Sequence, residues 1–324
     1  MQKELLNWYR INKRNLPWRK NRDPYRIWIS EVMLQQTTVA AVVPYYEKFM
    51  LRFPKVKDLA NAKDADVLEM WAGLGYYSRA RNIHKSAKLI SALGFPQSAD
   101  ALLELPGFGP YTSRAVSSLA FNEKVGVLDG NVIRILSRVN GLKLKWWLPK
   151  ERKILQEMAD KIAQSDFNSE INKGMMELGA TVCTPKKPLC LLCPWKSKCI
   201  ALTDDTIAQL PLPKPRQKTE IWFWKMHITT KKNRIYLEKN CATPFLPDLL
   251  FPPGKASSIS RKPKKFDLQH SVTKYKIYIE LLISDAKHSM RSNWFELTNI
   301  KKVNHSSLMT KILKKIEQSS KIDL

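Results

Sequence analysis

The chain has 324 residues, 44% of them hydrophobic, and carries 55 Lys and Arg against 29 Asp and Glu, a formal net charge of +26. That length can bury a sizeable core and predicts two domains, while so large a basic excess attracts polyanions over long range, nucleic acid foremost. No apolar run reaches the ~20 residues of a bilayer span, and four of the five cysteines crowd between Cys183 and Cys199, which in a reducing compartment favours a metal site over disulfides.

Met1-Gln2-Lys3-Glu4 opens an amphipathic helix rather than a signal peptide, with Leu5, Leu6, Trp8 and Tyr9 as its apolar stripe. A soluble, cytoplasmic, nucleoid-associated protein with no membrane contact is expected. The helix ends in Lys13-Arg14-Asn15-Leu16-Pro17-Trp18-Arg19. There Trp18 and Arg19 either touch a nucleic acid or, for the Trp, anchor the entry loop from within.

Asp23-Pro24 reads as an N-cap and first-turn proline. The helix that follows, Tyr25 to Gln36, is apolar nearly all round, and between Arg26 and Glu47 Glu31 is the only acidic or basic side chain. A carboxyl buried there either stays protonated, as a usable proton donor, or is tied to backbone or an Arg. Further helices are predicted from Thr38 to Phe53 and from Asp64 to Trp71. The turn Trp71-Ala72-Gly73-Leu74-Gly75-Tyr76-Tyr77 then presents aromatics ahead of a helix rich in Arg79, Arg81, His84, Lys85 and Lys88. Such an aromatic can wedge into a base stack while the cations hold phosphates. Tyr77 also suits a plain core.

Leu105-Pro106-Gly107-Phe108-Gly109-Pro110 forces a tight turn between two helical patterns, a helix-hairpin-helix at about residues 99–121. Gly107 and Gly109 allow close approach of another molecule, and the N-terminus of the second helix is a seat for phosphate. Asp129 follows an apolar run and precedes a helix marked by Val132, Ile133, Leu136 and Val139. Its place at a helix start near Arg134 predicts an ionised carboxylate. Helical periodicity continues through Leu155, Met158, Ile162, Ile171, Met175, Leu178 and Val182.

Cys183-x6-Cys190-x2-Cys193-x5-Cys199 comes next. The spacing does not suit a zinc ribbon and points to a [4Fe-4S] cluster, with Lys186 and Lys187 in the intervening loop placed to meet phosphate. Residues 203–219, centred on Leu210-Pro211-Leu212-Pro213-Lys214-Pro215, read as a stiff linker. Beyond it Trp222 to Thr229, Arg234 to Leu237 and Tyr275 to Leu281 read as strands and Leu308 to Ile316 as a closing helix. The expected fold is an all-α body over residues 1–202, with its cluster loop at 183–199, joined to an α+β domain over 220–324.

Leu16-Pro17-Trp18, Ser30-Glu31-Val32-Met33-Leu34-Gln35-Gln36-Thr37, Gly73-Leu74-Gly75-Tyr76-Tyr77, Leu105 to Thr112, Leu128-Asp129-Gly130-Asn131-Val132 and the four-cysteine loop together resemble the MutY adenine DNA glycosylases of the helix-hairpin-helix (endonuclease III) superfamily. The resemblance covers residues 1–200. It implies base excision repair by a monofunctional enzyme that hydrolyses the N-glycosidic bond of adenine paired with 8-oxoguanine or G in double-stranded DNA, acting as a monomer. Glu31 would protonate the departing adenine and Asp129 would stabilise the oxocarbenium-like sugar, as in two-carboxylate glycoside hydrolysis. Asn131 would help orient the water or the acid. Tyr111 stands where the superfamily's lyases carry their catalytic lysine, so no Schiff base is expected at that position. Arg19, Gln36, Tyr76, Gly107, Gly109, Lys186 and Lys187 would contact DNA, with adenine extruded from the stack.

The resemblance also implies a Nudix-like C-terminal domain that inspects the oxidised base. Leu246 to Gly254 resembles the family's Leu-Trp-Glu-Phe-Pro-Gly segment, and the family's Phe-Ser-His loop aligns with Val272-Thr273-Lys274, leaving Thr273 and Lys274 for lesion recognition. No acidic cluster follows Gly254, which argues against magnesium-dependent hydrolysis. A thymine or uracil mismatch glycosylase, and a lesion-binding protein without turnover, are the alternatives. Ser-Glu-Val-Met-Leu-Gln-Gln and the second domain weigh against the former, the intact Glu31 and Asp129 against the latter.

Overall fold

The computed structural model describes residues 1–241, 243–283, 293–300, 304 and 306–318. The chain forms two compact units, one of Met1–Met70 with Tyr76–Pro215, the other of Arg216–Leu324 with the short segment Trp71–Gly75.

The first unit is helical. Its elements are α1 (Gln2–Asn12), α2 (Pro24–Leu34), α3 (Val39–Arg52), α4 (Val56–Ala60), α5 (Asp64–Met70), α6 (Ser78–Leu93), α7 (Ala99–Leu103), α8 (Pro110–Phe121), α9 (Gly130–Val139), α10 (Pro149–Ala163), α11 (Asn168–Thr181) and α12 (Ile200–Thr203). Local chemistry sets the starts that matter for the site. The Asp23 carboxylate accepts from the Tyr25 and Arg26 amides and Pro24 takes the first turn of α2. Thr38 caps α3, and Pro110 opens α8 behind Gly109.

α2 is buried almost throughout, from Tyr25 to Met33, and Trp28 stacks on Phe108 with ring centroids 5.2 Å apart. This contact seats the turn after α7 against α2. Leu5, Ile135, Leu136, Leu155, Ile171, Leu178 and Trp195 draw α1, α9, α10, α11 and the cysteine loop into one core, each such side chain contributing roughly 1.5–3 kcal/mol on burial. Glu177 on α11 is fully buried between two guanidinium groups, with Arg14 Nε 2.6 Å and Arg19 Nη2 2.8 Å away. Burial pushes its pKa up, but the two arginines outweigh this and hold the carboxyl below its ordinary value. The triad clamps the segment after α1 onto α11, and losing one partner of a buried pair costs about 3–5 kcal/mol.

The expected linker is not free over its first half. Leu210 is buried, its carbonyl accepts from Arg138 Nε at 2.9 Å, and the Leu212 carbonyl accepts from Trp146 Nε1 at 2.9 Å. Residues up to Pro215 therefore pack with the helical unit.

The second unit holds β1 (Glu220–Ile228), β2 (Thr230–Lys231), β3 (Arg234–Tyr236), β4 (Glu238–Lys239), β5 (Leu250–Phe251), β6 (Gly254–Ile259), β7 (Leu268–Val272), β8 (Tyr275–Ile283), β9 (Trp294–Glu296) and α13 (Ser307–Gln318). Its main sheet runs β6-β1-β8-β7, with β1 parallel to β8 and both outer strands antiparallel to their neighbours. Trp224, Met226, Ile277 and Ile279 from the central pair meet Leu308, Met309, Ile312 and Ile316 of α13 in one core. The periodic central strands are where the sequence predicts them. The outer strands β6 and β7 escape that reading because Lys, Ser and Gln dilute their alternation, as befits edges exposed on one side. Among the described residues no helix is long and apolar enough to cross a membrane.

Candidate active site

α2, α8, α9 and α11 enclose a cavity of about 420 Å³ in the helical unit, within the range of small-molecule sites. Ile27, Ser30, Glu31 and Leu34 reach it from one face of α2, Tyr111 from α8, Asp129 and Asn131 from the start of α9, and Lys173, Met176 and Ala180 from α11. Glu31 and Asp129, distant in sequence, thus share one chamber.

Glu31 is 3% exposed. Its Oε2 accepts a 2.6 Å hydrogen bond from the Tyr111 hydroxyl. Burial lifts its pKa to about 7, the Tyr111 bond opposes that rise, and the charge on Asp129 adds to it. With Oε2 engaged by a donor, Oε1 is the oxygen left to carry the acidic proton when Glu31 is protonated.

Asp129 is the N-cap of α9. Its Oδ1 accepts from the Val132 amide at 2.7 Å and its Oδ2 from Asn131 Nδ2 at 2.8 Å. Burial raises this group too, against the amide and Asn131 bonds. Arg134 does not touch it. The guanidinium instead donates from Nη2 to Asn131 Oδ1 at 2.8 Å and to the Gly179 carbonyl at 2.8 Å, and from Nε to the Cys183 carbonyl at 2.7 Å. Asn131 is the bridge between Asp129 and Arg134. Of the two raised carboxyls only Asp129 has N–H donors dedicated to its charged form, so it ionises first and its charge keeps the proton on Glu31.

Around the mouth, Gln36 is exposed with φ +60° and lines the same cavity. Tyr76 is 48% exposed with φ +50°, and the Arg79 guanidinium lies 5.5 Å from its ring centre. Arg79 also donates to the Val32 and Gln35 carbonyls at 2.7 and 2.8 Å, satisfying the end of α2. Trp18 takes the interior alternative, 5% exposed and edge-on to Tyr46. Arg19 faces the cavity, with its guanidinium paired to Glu177.

The hairpin turn between α7 and α8 is pinned by Ser86 Oγ, which donates to the Pro106 carbonyl at 2.7 Å. Gly107 has φ +80°, and a Cβ there would meet the Asn82 Cβ at 2.5 Å. Gly109 has open space around it, room for another molecule to approach the amides that begin α8.

The four cysteine side chains, with Ile135, Val139, Leu178 and Val182, line a second, apolar cavity. Among the described residues no set of three His, Cys, Asp or Glu is disposed to hold a single metal ion. Four half-buried thiols around a common apolar space suit a polynuclear iron-sulfur cluster. Arg138, buried beside them, donates from Nη1 to the Thr184 carbonyl at 2.7 Å and lies 3.5 Å from Cys183 Sγ. Lys186 and Lys187 are exposed on this loop.

In the second unit, Thr273 sits in the two-residue turn between β7 and β8 with φ +52° and an exposed side chain. The Lys274 ammonium is paired with Glu220.

Sequence reasoning missed the bond from Tyr111 to Glu31 and the presence of Lys173 and Arg152 in the cavity wall. The signal for Lys173 was available, since Lys173, Met176 and Ala180 recur at helical spacing and fall on one face of α11.

Residues 29–164 match the HhH-GPD superfamily base excision DNA repair proteins. The adenine DNA glycosylase of Buchnera aphidicola subsp. Baizongia pistaciae is 32% identical over 344 residues, spanning 97% of this chain and 96% of that protein. Its counterpart from Buchnera aphidicola subsp. Schizaphis graminum is 40% identical over 246 residues, spanning 73% and 69% respectively. Among solved structures, a thermostable thymine-DNA glycosylase superposes with a TM-score of 0.57 at 29% identity, covering 63% of this chain and 95% of its own. With a relative matched over nearly its whole length and a two-carboxyl cavity inside the matched region, the chain belongs to the adenine DNA glycosylase family.

Proposed function

We propose that this protein is a monofunctional DNA glycosylase that removes adenine paired with 8-oxoguanine or G from duplex DNA, hydrolysing the N-glycosidic bond with water as the final nucleophile. The observation that carries this reading is the shared cavity of Glu31 and Asp129, one carboxyl held as acid near neutrality and the other hydrogen-bonded in its charged form.

Adenine must leave the stack to enter such a cavity. The Oε1 proton of Glu31 then passes to a ring nitrogen of the departing base, while the Asp129 carboxylate opposes the positive charge growing on the sugar. Asn131 fixes Asp129, and Tyr111 fixes Glu31. Gly107, Gly109 and the α8 amides are suited to a backbone phosphate. Exposed Gln36 and Tyr76 are placed to fill or wedge the gap beside the lesion pair, and Lys186 and Lys187 to meet a further phosphate. Tyr111 offers no amine for a Schiff base at its position.

Cys183, Cys190, Cys193 and Cys199 would hold a [4Fe-4S] cluster, which when bound ties the loop between α11 and α12 into one rigid piece. The second unit serves as a Nudix-like lesion reader through Thr273 and Lys274, and the enzyme acts as an intracellular, nucleoid-associated monomer. The test is single-turnover excision on duplexes holding A:8-oxoG, A:G, A:C and T:G, with and without alkali. Adenine release confined to the first two, with strands cut only after alkali, is expected. Release of thymine from T:G, as the thymine-DNA glycosylase neighbour's name suggests for that protein, would overturn the assignment.

A further inference from the structure

In the main sheet of the second unit, Trp224, Met226, Ile277 and Ile279 turn to the core under α13. Side chains alternate along a strand, so Phe223 and Lys225 of β1 and Lys276 and Tyr278 of β8 turn to the opposite face. Phe223 and Tyr278 are register partners on these neighbouring parallel strands. The flanking strands add Lys255 and Ser257 from β6, opposite Lys225 and Phe223, and Gln269 from β7, opposite Tyr278. Among the described residues α13 is the one α-helix of this unit, and it packs on the core side.

Three aromatic rings on the opposite face each have an ammonium beside them. Lys225 Nζ lies 5.7 Å from the Phe223 ring centre, Lys276 Nζ 5.6 Å from that of Tyr278, and Lys262 Nζ 5.1 Å from that of Phe266. Phe266, from the loop between β6 and β7, meets Tyr278 edge-on at 4.8 Å. Tyr278 is buried, whereas Phe223 and Phe266 are half-buried. The charge here is one-sided. Among the described residues Lys255, Lys262 and Lys276 have no carboxylate at ion-pair distance, and Lys225 pairs with Glu280 at 3.5 Å, a surface contact weak enough to yield to a phosphate. Asp267 spends its carboxylate on the Leu281 amide at 2.8 Å.

A protein partner seated here would bury three unpaired ammonium groups, which is costly. Rings interleaved with cations suit instead a polymer that alternates planar bases with phosphates. In a duplex the base faces are hidden in the stack, so only an unpaired strand can use the rings. We propose that this sheet face is a docking surface for single-stranded DNA, with bases stacked on Phe223 and Phe266 and phosphates held by Lys225, Lys255, Lys262 and Lys276. The surface is built by the second unit alone, and its occupancy is read without reference to excision.

The test uses the full chain, a short fluorescein-labelled oligothymidylate, and saturating unlabelled duplex holding A opposite 8-oxoguanine. Oligonucleotide binding, read by anisotropy, should persist in the presence of the duplex. Phe223→Leu keeps the apolar volume and removes the aromatic face, and should weaken that binding about fivefold or more with the melting temperature unchanged. Lys255→Gln combined with Lys276→Gln should reduce the slope of log affinity against log salt by about 1.4, the share of two phosphates on a single strand. This pair alters no apolar side chain, so it reads the surface even where Phe223→Leu proves less stable. Photocrosslinking with 5-iodouracil in the oligonucleotide, followed by mass spectrometry, should place adducts on Phe223 or Phe266. Displacement by the duplex, adducts confined to the helical unit, or wild-type binding by both variants would overturn the proposal. So would a dimer in sedimentation that Phe223→Leu dissociates, since a second copy would then cover the face, or tighter binding of oligouridylate, which would make the ligand RNA.

Discussion

The Tyr111 hydroxyl and the Glu31 carboxyl, 80 residues apart in sequence, are joined by a 2.6 Å hydrogen bond inside the excision cavity. The bond favours the ionised carboxylate, against the burial that raises Glu31 to about 7. Tyr111→Phe removes that opposition, so Glu31 should hold its proton to higher pH. Single-turnover excision plotted against pH should show its alkaline limb moved upward by about one unit, the scale of one hydrogen bond to a charged group. A limb that stays or moves down would mean that Glu31 is not the acid.

Glu31→Gln should abolish adenine release while duplex binding persists, a loss of about 10²–10⁴ for a general acid. The same change should alter stability with a definite sign. The folded pKa of about 7 lies above the ordinary glutamic acid value of 4.5, so wild-type stability falls as pH rises through that interval and stays lower above it. The variant, which cannot ionise, should therefore be more stable than wild type above about pH 7 by up to roughly 3 kcal/mol. Below pH 4.5 the difference should vanish. Thermal melts across pH read this directly.

Glu31 was legible in the sequence because one carboxyl in an otherwise apolar helix has few uses, and Asp129 because a helix start follows an apolar run. What links them was not, since Tyr111, Asn131, Arg134 and Lys173 meet only once α8, α9 and α11 pack. The partner expected for Asp129, nearby Arg134, went astray for the same reason. Proximity in sequence suggested a direct pair, whereas the fold inserts Asn131 between them and buries the carboxyl. In the second unit, clear alternation revealed β8, while the polar edges β6 and β7 carried too weak a pattern to be read.

Arg134 joins Asn131 to the backbone of Gly179 and Cys183. A lysine keeps the charge but cannot span three acceptors with one ammonium. Arg134→Lys should slow excision about tenfold to a hundredfold by loosening Asn131 and hence Asp129. It should also lower stability by about 1–3 kcal/mol, the cost of leaving a buried acceptor unpaired. Rates and melting temperatures measured together check both. An unchanged rate in a destabilised variant would confine Arg134 to a structural role.

Thr273 lies exposed at the turn between β7 and β8, with its hydroxyl donating to its neighbour's carbonyl at 2.7 Å. Thr273→Ala should leave folding unaffected and reduce the preference for A:8-oxoG over A:G by about fivefold, one hydrogen bond's worth. Equal preference in variant and wild type would remove this turn from lesion recognition.

Gly107 combines a left-handed backbone with a neighbour that leaves no room for a side chain, the Asn82 Cβ at 2.5 Å. Gly107→Ala incurs about 1–2 kcal/mol for the left-handed conformation alone, and relief of the overlap must displace the turn from Ser86, which holds the Pro106 carbonyl. That displacement re-aims the α8 amides suited to phosphate, while the Tyr111 side chain one turn on remains anchored to Glu31. The expected result is weaker duplex binding, read as a higher Kd in fluorescence anisotropy, with a smaller change in the single-turnover rate at saturating enzyme. A fall in that rate with binding intact would show that the hairpin acts through the chemistry rather than through the phosphate.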